Sequence, residues 1–420
     1  MVENFNYNWI NGEKVHTDQT TEVINPANGN VIDQVPSIDE NKVKQSIESA
    51  HQAFKKWSKY TAEQRGDILN QWATNLLNKQ DELAHIMSEE QGKPFAEAYG
   101  EIGVCAKFIK WNAEEGKRIY GEIIPPSSPQ QRISVIKQPV GVCGLITPWN
   151  FPGAMIARKV APALAAGCTV IVKPSSETPR IAIAIFDELM ATNIDKGVAN
   201  IITGRSSMIS NTLFSDQRVR KISFTGSTAI GKTLMKQAAD QVKRISLELG
   251  GNAPTIVLPD ADLDNAADAI VENKFENTGQ MCNGINTILV HKDIKSAMTE
   301  KIVARVQQLK VGPATEDGVQ VGPLINAAAI EKVEKLVADA QDNGAQIVTG
   351  GQKSAISDFG LFYEPTVITD VKHTMAIAQE EIFGPVAPIV QFDTIDEAIE
   401  IANASQFGLA AYFFTNNVNT

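Results

Sequence analysis

Apolar positions recur at two different periods along this chain, and the change of period marks out its organisation. From Ile38 to about Lys117 they fall at helical spacing, as at Ile68, Trp72, Leu76 and Leu77, between Gln- and Glu-rich polar faces. Ahead of these helices, Tyr7 to about Val35 holds short apolar runs broken by Asn-Gly and Asn-Pro, which predicts small strands or a meander. Pro125, Pro126 and Pro129 then interrupt the chain, and the run ISVIKQPVG that follows predicts a hairpin or a domain edge. Beyond Gly141 the runs VCGLITP, TVIVKP, ANIITG and KISFTG are apolar without alternation and are separated by helical stretches such as MIARKVAPALAAG and RIAIAIFDELMAT. That pattern predicts a parallel sheet covered on both faces, in outline a doubly wound nucleotide-binding domain. A second series starts near Pro254 with PTIVLP, TILVHK, QIVTGG, PTVITDV and AYFFT, so a boundary between two α/β domains is expected near LELGGNAP.

Composition narrows the class. A chain of 420 residues, 43% hydrophobic and 21% charged, has room for two or three well-buried domains. With 49 acidic against 38 basic residues the net charge is -11, and no Lys/Arg block is present to follow a phosphate backbone, which argues against nucleic acid as a partner. Cys105, Cys143, Cys168 and Cys282 are spaced for neither a disulfide framework nor a zinc site, as expected in a reducing compartment. The five histidines make no HxxxH or HExxH pair, so no metal site is indicated. The opening MVENFNYNWING lacks the basic head and apolar core of a signal peptide, and no apolar run is long enough to span a bilayer. The expected location is cytoplasmic.

Two stretches carry candidate chemistry. In FENTGQMCNG, Cys282 follows a helical pattern (Leu263, Ala266, Ala267, Ile270, Val271, Phe275) and falls on a polar turn between Gly279 and Gly284. A lone cysteine is by default a small buried thiol, but one on such a turn is placed to react. GSTAIGKT, Gly226 to Thr233, satisfies the P-loop pattern after a strand and before a helix, with Lys232 on phosphate and Thr233 on magnesium. Against nucleotide hydrolysis, TIVLP reaches Asp260 only after a proline, which leaves no well-placed acidic magnesium partner. Backbone N–H groups at a helix start hold any phosphate, the pyrophosphate of a dinucleotide included, although the usual GxGxxG fingerprint is absent.

Taken together, PWNFP (Pro148 to Pro152), KPSSETP (Lys173 to Pro179), FTGSTAIGK, LELGGNAP (Leu247 to Pro254), FENTGQMC and EEIFGPV (Glu380 to Val386) resemble, in order and spacing, the motifs of the aldehyde dehydrogenase superfamily. The resemblance implies an α/β fold of two doubly wound domains, one cofactor-binding (residues 1–119 and 139–250) and one catalytic (251–420), with a small oligomerisation hairpin at 120–138. It makes the P-loop match a coincidence of the family's GSTxxG turn. By the same resemblance Cys282 matches the nucleophile, Glu248 the base that activates water, and Asn150 the amide that joins the Cys282 backbone N–H in stabilising an oxyanion. Lys173 matches the lysine on the adenosine ribose, Gly226 and Ser227 the turn near the pyrophosphate, and Glu381 and Phe383 the pair at the nicotinamide riboside. Ile146, Thr147, Pro148 and Trp149 fall in its cofactor-binding stretch, and Lys159 matches a lysine near the active site, unless it only solvates a helix face.

The stretch PWNFPGAMIARKVAPALAAGCTVIVKPSSETP is similar to that of succinate semialdehyde dehydrogenases, in which Arg158 matches an arginine on the substrate's distal carboxylate. Ser176 stands where many members carry a glutamate that repels a 2′-phosphate, so NADP is expected to be accepted beside NAD. Other departures pull away from that substrate. Glu276 replaces a second carboxylate-binding arginine, Thr287 replaces an arginine after the nucleophile, Gly284 a redox cysteine, and Ala229 a common glutamate. The chain also stops at Thr420, before a PFGG-like motif, which reads as truncation. The expected activity is NAD(P)-dependent oxidation of a small aldehyde, a semialdehyde such as succinate semialdehyde, in a homodimer or homotetramer. The alternatives are a non-acidic aldehyde, transfer of the thioester to coenzyme A, a nucleotide hydrolase and a catalytically silent binding protein.

Overall fold

The architecture comes from a computed structural model that describes residues 4–420. The chain divides into two compact units: the first takes the described residues up to Ile24, Val31–Glu90 and Ala98–Glu248, and the second takes Asn25–Asn30, Gln91–Glu97 and Leu249–Thr420.

In the first unit, β1 (Asn8–Ile10) and β2 (Glu13–Val15) form a hairpin and β3 (Thr20–Ile24) pairs antiparallel with β4 (Val31–Pro36). Four helices follow: α1 (Glu40–Trp57), α2 (Ala62–Asn78), α3 (Gln80–Gln91) and α4 (Phe95–Gly116). The start of α2 is fixed by a capping box, in which Thr61 Oγ1 accepts from the Gln64 backbone and the Gln64 side chain accepts from the Thr61 backbone. A two-stranded antiparallel hairpin, β5 (Glu122–Ile124) and β6 (Ile133–Val135), comes next. The α/β run is then β7 (Val142–Ile146), α5 (Pro152–Ala165), β8 (Thr169–Lys173), α6 (Pro179–Met190), β9 (Ala199–Ile201), α7 (Ser206–Ser215), β10 (Val219–Thr225), α8 (Thr228–Ala239) and β11 (Arg244–Glu248). The sheet order is β11-β10-β7-β8-β9-β1-β2, parallel from β11 to β9, with β1 added antiparallel where Trp9 meets Ile201. Chain order reverses between β7 and β10. The N-terminal strands therefore finish this sheet as well as making a meander, and Ile10 at the end of β1 is buried.

In the second unit the elements are β12 (Ala253–Val257), α9 (Leu263–Phe275), β13 (Ile285–His291), α10 (Lys295–Val306), α11 (Ala327–Asp342), β14 (Gln346–Thr349), β15 (Thr366–Val371), α12 (Ala376–Gln379), β16 (Val386–Phe392), α13 (Ile395–Asn403) and β17 (Tyr412–Phe414). The order is β14-β15-β16-β13-β12-β17, parallel except for β14. Alternate residues serve opposite cores: Leu289, Ile368 and Val390 pack with Val333 and Leu336 of α11, while Ile288, Val290 and Ile389 pack with Ile270 of α9 and Ile302 of α10.

A contiguous 1–119 segment was expected in the cofactor domain, yet 25–30 and 91–97 belong to the second unit. Ser357 Oγ donates to the Ala27 carbonyl at 2.9 Å, and the Glu97 carboxylate accepts the Asn277 N–H at 2.7 Å. Such long-range bonds leave no trace in local periodicity. Among the described residues no helix is long and apolar enough to cross a membrane.

Candidate functional site

The register of the first sheet gathers one set of motif residues along a single edge. Lys173 pairs with Ile146, Phe224 pairs with Ile146 on its other side, and Thr225 pairs with Glu248. The carboxyl ends of β8, β7, β10 and β11 are thus level, and the turns leaving them are KPSS, TPWN, GS and the chain after Glu248. In an open α/β sheet this edge, at the reversal between β7 and β10, is where ligands bind.

What caps the three helices leaving these turns differs. At α5, the buried Glu101 carboxylate accepts from the Gly153 and Ala154 N–H groups, both at 2.9 Å. The Glu90 carboxylate does the same at α6, accepting from Arg180 at 2.6 Å and Ile181 at 2.9 Å, and burial raises its pKa to about 8. At α8 the cap is the chain's own Ser227 hydroxyl, accepting from Ile230 N at 3.4 Å. A single hydroxyl acceptor at 3.4 Å, against two carboxyl bonds at each of the other helices, leaves the α8 start more open to an anion, so Gly226 and Ser227 suit a pyrophosphate. Nearby, Thr147 Oγ1 and Thr225 Oγ1 are buried without a hydrogen-bond partner, which also fits a polar ligand along this edge. Lys173 is 6% exposed, and burial lowers its pKa to about 8. Ser176, by contrast, is exposed.

Asn150 is buried in the turn that Glu101 braces. Glu248 is half-buried; its Oε1 lies 3.4 Å from Arg158 Nη1, and the Arg158 guanidinium stacks over Phe108 at 4.7 Å. The two residues expected as base and carboxylate binder are therefore in contact with each other. The helix-face alternative for Lys159 does not hold. That residue is 9% exposed, because its side of α5 turns to the sheet, and Nζ donates to Ser223 Oγ at 3.0 Å. Burial lowers the Lys159 pKa to about 8 against the pull of Glu248.

The second unit gathers the other set at the amino ends of its strands. Cys282 is partly exposed on the turn before β13, Gly250 and Gly251 precede β12, and Glu381 and Phe383 precede β16. Helix α9 ends at Phe275, and the next turn, Glu276–Gly279, contains Asn277 and Thr278 in the left-handed region (φ 49° and 58°). A β-branched residue there is strained, and paired bonds hold it: Thr278 Oγ1 donates to the Gly322 carbonyl at 3.2 Å and accepts the Gly322 N–H at 3.0 Å. The glycines of LELGG are needed for close approach. A Cβ on Gly251 would come within 2.3 Å of the Cys282 carbonyl, and one on Gly250 within 2.7 Å of a Glu381 oxygen. Glu381 Oε1 in turn accepts the Gly251 N–H at 3.0 Å, and burial raises the Glu381 pKa. Phe383 is also left-handed, at φ 57°.

The sequence reading missed several contributors. Glu90 and Glu101 are ordinary helix glutamates in pattern, and Asn252 and Asn286 look like turn or strand residues. Lys274 did leave a signal, being a charge on the apolar stripe of α9 three residues after Val271. It is 2% exposed, and burial lowers its pKa to about 7 against the attraction of Glu381.

The aldehyde dehydrogenase family model matches residues 9–420. The succinate-semialdehyde dehydrogenase [NADP(+)] of Escherichia coli is 45% identical over 412 residues, which is 98% of this chain and 85% of that protein. A glutarate-semialdehyde dehydrogenase of Pseudomonas putida is 46% identical over 413 residues, again 98% of this chain and 85% of the relative. The crystal structure of succinate-semialdehyde dehydrogenase from Burkholderia pseudomallei superimposes with a TM-score of 0.97 at 46% identity, covering 98% of this chain and 86% of that one. The chain belongs to the aldehyde dehydrogenase family, whose members oxidise aldehydes with NAD or NADP.

Proposed function

We propose that this chain oxidises a small semialdehyde to the carboxylic acid through a thioester on Cys282. The observation that carries the reading is the construction around Cys282, where a strained turn is braced by buried hydrogen bonds and two glycines admit its carbonyl and the Glu381 carboxylate. Strain held in place this way is found where geometry matters for chemistry.

Cys282 attacks the aldehyde carbon, and the carbonyl oxygen becomes an oxyanion stabilised by the Cys282 N–H and the Asn150 amide. The nicotinamide ring supplies the hydride acceptor when the dinucleotide is bound. Collapse of the thiohemiacetal leaves the thioester, and Glu248 takes a proton from the water that hydrolyses it. Lys173 holds the adenosine ribose, Gly226 and Ser227 hold pyrophosphate at the α8 terminus, and Glu381 and Phe383 position the nicotinamide riboside. Ile146, Thr147, Pro148 and Trp149 line the same edge, and Ser176 admits a 2′-phosphate. The substrate class is inferred from the relatives' names together with Arg158, whose fork suits a distal carboxylate. The roles proposed for these ranges are cofactor binding in 1–119 and 139–250, less 25–30 and 91–97, which belong to the second unit, bridging in 120–138, and catalysis in 251–420.

One observation favours an uncharged aldehyde instead. Glu276, six residues before Cys282, lines a cavity of about 630 Å³ with Glu97, Asp268, Glu272 and Arg305, four carboxylates against one guanidinium, which does not favour an anion beside Glu276. One assay series decides between them: the full chain and Cys282→Ser are offered succinate semialdehyde and an uncharged aldehyde of equal length, with each cofactor. The Cys282→Ser variant should lose turnover by about a thousandfold or more. Turnover that survives sinks the thioester, and preference for the uncharged aldehyde moves the substrate class to the second reading.

Exposed apolar side chains in and beside the β5–β6 hairpin, Ile123 at 87% with Tyr120 at 67% and Ile136 at 72% flanking the strands, support assembly into a homodimer or homotetramer. A cytoplasmic setting suits a thiol nucleophile.

A further inference from the structure

Asn286 is the second residue of β13, four positions after Cys282, and it is 3% exposed. Its side chain uses both ends. Oδ1 accepts the Ile382 N–H at 2.8 Å, while Nδ2 donates to the Glu380 carbonyl at 3.0 Å and to Asn252 Oδ1 at 2.8 Å. One amide therefore grips the backbone on either side of Glu381. Asn252 extends the clamp, because its Nδ2 donates to the Ala378 carbonyl at 2.9 Å. The segment so held runs directly into Phe383, whose left-handed backbone (φ 57°) is unfavourable for an aromatic residue. A strained residue keeps its conformation only where its neighbours over-determine it, and the bond to Ile382 N is a buried side-chain restraint adjacent to it. At the other end, Ile285 N donates to Asn273 Oδ1 at 2.7 Å, so the start of β13 is itself fixed to α9.

We propose that Asn286 is a positioning residue that locks the Glu381–Phe383 loop to the strand beginning just after the nucleophile, so that one side chain sets both the grip on the nicotinamide riboside and the seat of Cys282. The inference rests on the assignment of Glu381 and Phe383 to that riboside. Removing the amide strands the Glu380 carbonyl and the Ile382 N–H in a buried setting, and the loop relaxes to satisfy them with water. Glu381 then moves with its backbone, while the bond from the Gly251 N–H ties only its carboxylate.

The test uses Asn286→Ala and Asn286→Asp in the full chain. Aspartate is isosteric and keeps the acceptor for the Ile382 N–H. It loses the donor bonds to the Glu380 carbonyl and Asn252 Oδ1, but in its protonated form, which burial beside two oxygens favours, it restores one of them, so it should be intermediate. Three quantities are read well below the melting temperature: the KM for NADP and NAD, amide exchange across residues 380–384, and the rate and pH profile of Cys282 alkylation by iodoacetamide. The expected result for alanine is a cofactor KM raised about tenfold or more, exchange at 380–384 accelerated by a similar factor, and a displaced alkylation profile, with the aspartate variant between it and the parent. A purely structural role would lower the melting temperature and leave the KM, the local exchange and the alkylation profile unchanged. That outcome in the alanine variant, or in the aspartate variant if alanine does not fold, overturns the proposal. Glu381→Gln runs in parallel. If it leaves cofactor KM unchanged, the riboside assignment fails, and the exchange and alkylation readings still decide the role of Asn286.

Discussion

The two sheets present their motif residues at opposite ends of their strands. In the first unit Lys173, Asn150, Gly226 and Glu248 sit at or just after the carboxyl ends of β8, β7, β10 and β11. In the second, Gly251, Cys282 and Glu381 sit just before the amino ends of β12, β13 and β16. The physics of holding them differs accordingly. A turn at a carboxyl end feeds a helix, so its geometry follows from strand, cap and helix start, with a buried glutamate bracing two of the three turns. A turn at an amino end leaves a helix, as after α9 and α12, or a strand, as after β11, and no helix start fixes its entry into the next strand. Here it is held by side-chain amides, by glycines that permit close approach, and by left-handed residues under constraint.

The difference predicts unequal responses to the same mutation. A Cβ on Gly251 meets the Cys282 carbonyl at 2.3 Å, and backbone on a braced turn cannot yield cheaply. A Cβ on Gly226 meets the Phe224 ring at 2.5 Å, the far end of a side chain that can turn aside. Gly251→Ala should therefore cost about a hundredfold or more in kcat with dinucleotide affinity kept, since a misplacement near 1 Å costs that much. Gly226→Ala should cost several-fold and chiefly in cofactor KM. Steady-state kinetics with equilibrium cofactor titration measure both, and equal losses would dissolve the contrast.

The same contrast governs what the sequence disclosed. The strands of both series were legible as unalternated apolar runs between helices, because each is buried on two faces, as Ile288 and Leu289 illustrate. The carboxyl-edge residues were legible too, since a strand-turn-helix pattern brings its turn to that edge. Cys282 was visible as a cysteine beyond a helix and between glycines. What holds the turns on either edge was not: Asn286 reaches residues 94 and 96 positions away, and Glu101 reaches Gly153 across 52. A single polar letter in a strand or helix carries no mark of such a partner. The switch of 25–30 and 91–97 into the second unit escaped for the same reason.

Each unit also buries a lysine near a motif glutamate, and pH separates the two. Burial lowers Lys159 to about 8 and Lys274 to about 7, both from an ordinary value of 10.5. A lysine lowered on folding binds fewer protons in the folded chain than in the unfolded one, so the penalty for burying its charge is complete below the folded pKa. Stability is regained as pH rises from there towards 10.5. Between pH 6.5 and 9 this amounts to roughly one to a few kcal/mol for each lysine, and more for Lys274, whose pKa is lowered further. Lys159→Met and Lys274→Met should each be most favoured over the parent at pH 6.5 and lose those amounts of advantage by pH 9, as read by urea unfolding. An advantage that does not shrink with pH, or shrinks more for Lys159, would mean that the burial seen here is relieved by water.

The smallest effect belongs to the most exposed candidate and isolates the first unit. Ser176 lies in the open part of the turn between β8 and α6, where a substitution disturbs no packing. Ser176→Glu places a carboxylate where a 2′-phosphate is proposed to lie, and like charges at an exposed site cost about 1.4 kcal/mol, or tenfold. The ratio of kcat/KM for NADP to that for NAD should fall by about this factor, less at high salt because exposed charges are screened. Cys282 alkylation should stay as in the parent, since its turn is held wholly within the second unit. A preference that does not move removes Ser176 from the cofactor site. A preference that moves together with the alkylation rate would show that the carboxyl-edge and amino-edge sets are not set independently, and the contrast between the two units would have to be redrawn as one coupled site.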